Sequence, residues 1–144
     1  MNRNEEMRGQ IVSLINTNGF KRCAEIGVWR GGLSKSVLSN TDVEEYYMVD
    51  PLSEDGLTVT TKKETYVTRM GKNRPRNQKE LDEAYSQLVD DLQVYGRRAV
   101  FMRMTSKDAA PLVPDGELDF VFIDAIHMYD FVKEDIDLWL PKVR

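Results

Sequence analysis

One cysteine and one histidine stand in this chain of 144 residues. The lone Cys23 excludes an internal disulfide and fits a reducing compartment, as a small buried residue. One Cys with one His cannot furnish the ligand cluster of a structural zinc site. No apolar run approaches the length of a membrane span, and the polar opening MNRNEEMRGQ lacks the pattern of a signal peptide. Neither charge sign dominates: 20 Lys and Arg against 24 Asp and Glu leave a net charge of −4, with no general attraction to nucleic acid or anionic membrane. Repeats and low-complexity tracts are absent as well. Two phosphate-binding patterns are also missing, the dinucleotide G-x-G-x-x-G and the phosphate loop G-x-x-x-x-G-K-[ST]. These absences predict one cytoplasmic domain, residues 1–144, with neither nucleic acid nor membrane as a partner.

What is present is a composition of 41% apolar and 31% charged residues, enough for a real core, and a regular alternation of elements. A helical period runs over 4–17, with Met7, Ile11, Leu14 and Ile15 on one face and Gly19 as its stop. RCAEIG reads as a short strand, GLSKSVL as a helix, and EYYMVD as a second strand closed by Asp50 and Pro51. Residues 52–76 are the least orderly, an insertion or lid with a short helix expected around Lys63 to Met70. Its basic excess, Lys62, Lys63, Arg69, Lys72, Arg74 and Arg76, with Lys79 just beyond, reads as a solvated loop ahead of an anionic-substrate site. Leu81, Tyr85, Leu88, Leu92 and Tyr95 mark a helix over 78–95. RAVFMRM is a third strand, SKDAAPLV a helical turn, and LDFVFID a nearly continuous apolar strand suited to burial on both faces. DFVKEDIDLWL closes the series as a helix, with Phe131, Val132, Asp135, Ile136 and Trp139 at helical spacing.

Such alternation predicts an α/β sandwich around a mostly parallel sheet with right-handed crossovers. In such sheets a ligand lies beyond the carboxyl ends of the strands. Here those ends are Glu25-Ile26-Gly27, Asp50-Pro51, Met104-Thr105-Ser106 and Asp124-Ala125, and three of the four bring a carboxylate. A fixed negative charge at Glu25 is costly beside a pyrophosphate and favourable beside a cation. Together with the missing middle glycine, this points away from a dinucleotide and toward S-adenosylmethionine, which carries an ammonium and a sulfonium. Asp50, about 20 residues past the glycine turn, suits the two hydroxyls of an adenosine ribose.

AEIGVWRGGLS, YYMVDP and LDFVFIDAIHMYDFVKEDIDLWLPKV together resemble the class I S-adenosylmethionine-dependent methyltransferases. The branch they are similar to holds small-molecule and sugar O-methyltransferases and cephalosporin-hydroxylase-like proteins. The resemblance implies an α/β, Rossmann-like three-layer sandwich with a mostly parallel sheet of about four strands in the order 3-2-1-4, in which Glu25, Gly27 and Gly31 shape the methionine end of the pocket, with Ser34 on the following helix. It further implies Asp50 at the ribose, Thr105 and Ser106 near the adenine, and Asp124 facing cofactor and acceptor. In some relatives a divalent metal such as Mg sits at the position of Asp124. Relatives continue past LPKV with further strands that complete the sheet, and the sequence given stops at Arg144. That leaves two expectations, a methyltransferase acting on a small-molecule hydroxyl or a shortened binding module that works through a partner. In the second, an open outer edge on the fourth strand invites a second copy or another chain.

His127, three residues past Asp124, is a candidate to take the acceptor's proton, because imidazole titrates near neutral pH; Asp124 is the other candidate. Each site residue also has a plain structural reading. The glycines can simply make a close-packed turn, and Glu25 can pair with Arg30 or Lys21. Asp50 can be a turn residue before Pro51. Asp124 can be satisfied by helix amides, and His127 can cap a helix or pack beside Tyr129.

Overall fold

The computed structural model describes residues 2–60, 65–67 and 77–144. The chain begins with helix α1 (Arg3–Asn18), one residue longer at each end than its periodicity predicts. The reason for the early start is Asn2: its side chain accepts from the Glu5 N–H while Glu5 accepts from the Asn2 N–H, so two otherwise orphaned donors are satisfied. Gly19, at φ 65°, ends the helix in the left-handed conformation.

Strand β1 (Arg22–Ile26), helix α2 (Gly32–Asn40) and strand β2 (Glu45–Val49) follow as expected. The expected helix around Lys63 to Met70 is corrected where residues are described. Thr58–Thr60 (β3) and Thr65–Val67 (β4) pair as antiparallel strands, and β-branched threonines and valines favour that pairing over a helix. The rest of that expected helix, and most of the basic residues of 62–79, lie outside the described residues.

Helix α3 (Gln78–Leu92) opens on an Asn77 side-chain cap, and Leu81, Leu88 and Leu92 are its buried face. Tyr95 falls beyond the helix, in a 3-10 turn over Gln93–Arg98, because Gly96 breaks the helical backbone. Strand β5 (Ala99–Met102), the short helix α4 (Ser106–Ala109), strand β6 (Phe120–Ile123) and helix α5 (Tyr129–Trp139) complete the chain.

The main sheet is parallel throughout, in the order β5-β2-β1-β6. In order of occurrence among its own four strands this is 3-2-1-4, as the resemblance implies. Side chains alternate across it, so each face has its own core. Cys23, Tyr46 and Met48 join Ile15, Val37 and Leu88 on one side, whereas Ala24, Ile26 and Val49 join Ala109, Leu118 and Trp139 on the other. Helix α5 departs from its sequence reading. Ile136, expected on the packed stripe, is exposed, whereas Asp135 and Trp139 are buried.

Among the described residues the outer edge of β6 is open as expected, and one isolated bridge stands just ahead of it. Val143 forms a parallel bridge beside Leu118, whose N–H donates to the Lys142 carbonyl at 2.8 Å and whose carbonyl accepts from the Arg144 N–H at 2.9 Å. Along Phe120–Ile123 no second neighbour is paired among the described residues.

Candidate functional site

Register gathers the candidate residues. Ile26 lies opposite Val49 on one side and Ile123 on the other, so Gly27, Asp50 and Asp124 leave the sheet side by side. The ladder runs on through their backbones: the Gly27 N–H donates to Val49 O at 2.9 Å, and the Asp124 N–H donates to Ile26 O at 2.7 Å.

Gly27 has φ 93°, and a Cβ there would stand 2.4 Å from the Asp124 carbonyl oxygen. Only glycine permits both the conformation and the approach. Gly31, at φ 70°, is the N-cap of α2, and a Cβ on it would meet the Leu88 side chain at 2.4 Å. Between the two glycines Trp29 takes φ 56°, uncommon for a bulky residue.

The carboxylate of Asp50 accounts for the turn's shape. Its Oδ2 accepts from the N–H groups of Val28 and Trp29 at 2.9 and 2.8 Å, and its Oδ1 accepts from the Leu52 N–H at 2.9 Å. Backbone donors that a phosphate would use elsewhere are occupied here by an anion of the protein itself.

Glu25 lies beneath this turn, only 3% exposed. Its Oε2 accepts from the Ser34 hydroxyl at 2.6 Å and from the Tyr46 hydroxyl at 3.1 Å. Burial pushes its pKa up to about 8. The hydrogen bonds from Ser34 and Tyr46 work against that rise, and the nearby charges of Asp124 and Asp50 add to it. The expected alternative pairing of Glu25 with Arg30 or Lys21 does not occur. Arg30 instead lies 5.4 Å from the centre of the Trp29 ring, and Lys21 reaches the Asp42 carbonyl. Tyr46, a partner the sequence reading did not single out, has its phenol held well above the ordinary range by burial and by Glu25.

Asp124 and His127 meet: His127 Nε2 is 2.8 Å from Asp124 Oδ1, and both side chains face solvent, at 77% and 45% exposure. Among the described residues, no group of three or more His, Cys, Asp or Glu side chains lies close enough together to hold a metal ion. The expected metal at Asp124 therefore finds no donor set, and no step below passes through one.

Thr105 and Ser106 stand past the end of β5. Thr105 caps α4, accepting from the Asp108 N–H at 3.2 Å. Ser106 is drawn toward α5. Its Oγ accepts from the Trp139 indole N–H at 2.8 Å, and its hydroxyl hydrogen-bonds Asp135, whose carboxyl burial pushes up. Cys23 is fully buried, and burial, with a smaller contribution from Asp119, pushes its thiol up to about 12, as an inert core residue would have it.

The fold recurs in solved O-methyltransferases. One from Bacillus cereus, in complex with S-adenosylhomocysteine, aligns with a TM-score of 0.65 at 11% identity, over 100% of this chain and 53% of its own. Another, from Streptomyces achromogenes, involved in tomaymycin synthesis and in complex with S-adenosylmethionine, aligns with a TM-score of 0.65 at 14% identity, over 96% of this chain and 51% of its own. This chain therefore spans about half the length of those proteins. An uncharacterized protein of Sinorhizobium fredii is 31% identical over 62 residues, 43% of this chain and 7% of that one. Residues 24–144 match the family model for a methyltransferase domain, a span that takes in the glycine turn and all three carboxylates, and the chain belongs to that family.

Proposed function

We propose that this chain binds S-adenosylmethionine at the carboxyl ends of β1, β2 and β6 and serves methyl transfer to a small-molecule hydroxyl. The observation that carries this reading is the convergence of Glu25, Asp50 and Asp124 around a glycine turn, in a member of a methyltransferase family. An anionic, phosphate-repelling strand end suits a ligand with an ammonium and a sulfonium. Bound there, S-adenosylmethionine would supply an electrophilic methyl group.

Each residue then has a task. Gly27 and Gly31 keep the turn free of side chains at the methionine end, and Ser34 with Glu25 forms the floor. Glu25 contributes its charge from beneath the turn, and an incoming cation favours its ionised form. Asp50 accepts the ribose hydroxyls, while Thr105 and Ser106 border the adenine. Asp124 orients His127: with Nε2–H donating to Oδ1, Nδ1 of the neutral ring is left to accept the acceptor's proton. The protein's remaining work is alignment and exclusion of water.

Calorimetric titration of the chain with S-adenosylmethionine, repeated with Glu25→Ala and Asp50→Ala, tests the proposal. Saturable binding weakened by both substitutions is expected. A folded chain that takes up no cofactor would overturn it.

A further inference from the structure

Leu52 is held in a conformation its side chain does not favour. Its φ is 42°, in the left-handed region, and it is only 2% exposed. Strain of this kind persists where the surroundings over-determine it, and here both sides of the residue are tied. Its N–H donates to Asp50 Oδ1 at 2.9 Å. Its carbonyl accepts from Arg103 Nη2 at 3.3 Å and from Gln78 Nε2 at 3.2 Å.

Arg103 is itself fixed from two directions. Its guanidinium lies 4.4 Å from the centre of the Tyr85 ring and forms an ion pair with Asp82. Asp82 also accepts from Gln78 at 2.9 Å, and Tyr85 packs on Phe101 of β5 with ring centres 5.5 Å apart. An isolated surface ion pair would contribute little. A planar guanidinium stacked on a ring and sharing its Nη2 between a carboxylate and a carbonyl has much less freedom to lose.

We infer that Arg103 is a positioning residue for the cofactor pocket: it holds Leu52 from α3 and the end of β5, and through Leu52 it orients the Asp50 carboxylate. Asp50 in turn holds the Val28 and Trp29 amides, so a side chain just past the end of β5 sets the geometry of the glycine turn. The inference deepens the proposed function and rests on it only for the identity of the ligand.

Two readouts on the full chain separate the two. In the free protein, Arg103→Ala is expected to speed hydrogen exchange at the amides of Val28, Trp29 and Leu52 by about tenfold, the change that weakening one such tie produces. Amides central to β1 should not respond. Titration with S-adenosylmethionine should show affinity about tenfold lower for Arg103→Ala, and no further loss when the same change is made in Asp50→Ala. Asp82→Asn, which removes the ion-pair partner and leaves Arg103 in place, should move both readouts in the same direction by less. Unchanged exchange at Val28 and Trp29 in Arg103→Ala would overturn the inference whatever the titration shows. If exchange responds but the wild type takes up no S-adenosylmethionine, the positioning stands and the proposed cofactor falls.

Discussion

Gly27 and Asp124 touch backbone to backbone: a Cβ on the glycine would sit 2.4 Å from the Asp124 carbonyl oxygen and 2.6 Å from its carbon. The strand that carries one candidate residue is thus packed against the turn that carries the others. Gly27→Ala must move backbone as well as adopt a strained φ, and should destabilise by about 2–4 kcal/mol. Gly31→Ala meets only the end of the Leu88 side chain, which can turn aside, and should cost about 1–2 kcal/mol. Urea unfolding of the two variants checks the order; equal costs would mean that the backbone approach is not what fixes Gly27.

Glu25 makes stability depend on pH. Its pKa is raised from an ordinary 4.5 to about 8 in the folded chain, so between those values the native state holds a proton the unfolded state has lost. Stability is therefore greatest below pH 4.5 as far as this group is concerned, declines as pH rises, and is lost by about pH 8. Glu25→Gln should flatten that decline. Denaturation midpoints of both proteins at pH 5, 6.5 and 8 measure it, and parallel slopes would remove Glu25 as the source.

The same group ties binding to protons. A cationic ligand above Glu25 lowers its pKa, so uptake of S-adenosylmethionine near pH 7 should release a proton. Calorimetry in two buffers of different ionisation enthalpy would show it as a difference in apparent heat. Glu25→Gln should lose that difference.

Ser106→Ala leaves the Trp139 indole N–H and the Asp135 carboxyl without their shared partner, both in residues that are buried. A loss of about 1–3 kcal/mol is expected. Ser106→Thr, which keeps the hydroxyl, should recover part of it in thermal unfolding.

His127 is exposed, so its replacement should leave folding alone. On a hydroxyl acceptor, His127→Ala is expected to slow methyl transfer by about 10²–10⁴-fold, with cofactor affinity unchanged. A rate that survived the change would assign the proton to water or to another group.

The alternation of helix and strand was legible because each segment keeps its own hydrophobic period, and the parallel sheet follows from that alternation, while the strand order came from the family resemblance. Glu25, Asp50 and Asp124 were legible as strand-end carboxylates. Their partners were not. Tyr46 reads as an ordinary β-former, and nothing in its spacing tells that its hydroxyl faces Glu25. Arg103 and Gln78 meet at Leu52 only because β5 and α3 are neighbours in space. Helix α5 departs at one position: Asp135 and Trp139 are buried on the expected stripe, where Ser106 bonds both, and Ile136 is exposed. Thr65–Val67 pairs with Thr58–Thr60 where a short helix around Lys63 to Met70 is expected, since pairing between strands leaves no trace in a window of one.

The turn between Gly27 and Asp50 does two jobs with the same atoms. The carboxylate proposed for the ribose also closes the backbone of Val28, Trp29 and Leu52, so a lineage cannot trade it away for a new ligand without loosening the sheet's end. Asp124 and His127 carry no such double duty, because their side chains face solvent and bind each other. Change in what the protein acts on should therefore accumulate at the β6 end of the pocket, while the β2 end stays as it is. A library randomised at 125–128 should keep its folded members, and one randomised at 50–52 should lose most of them.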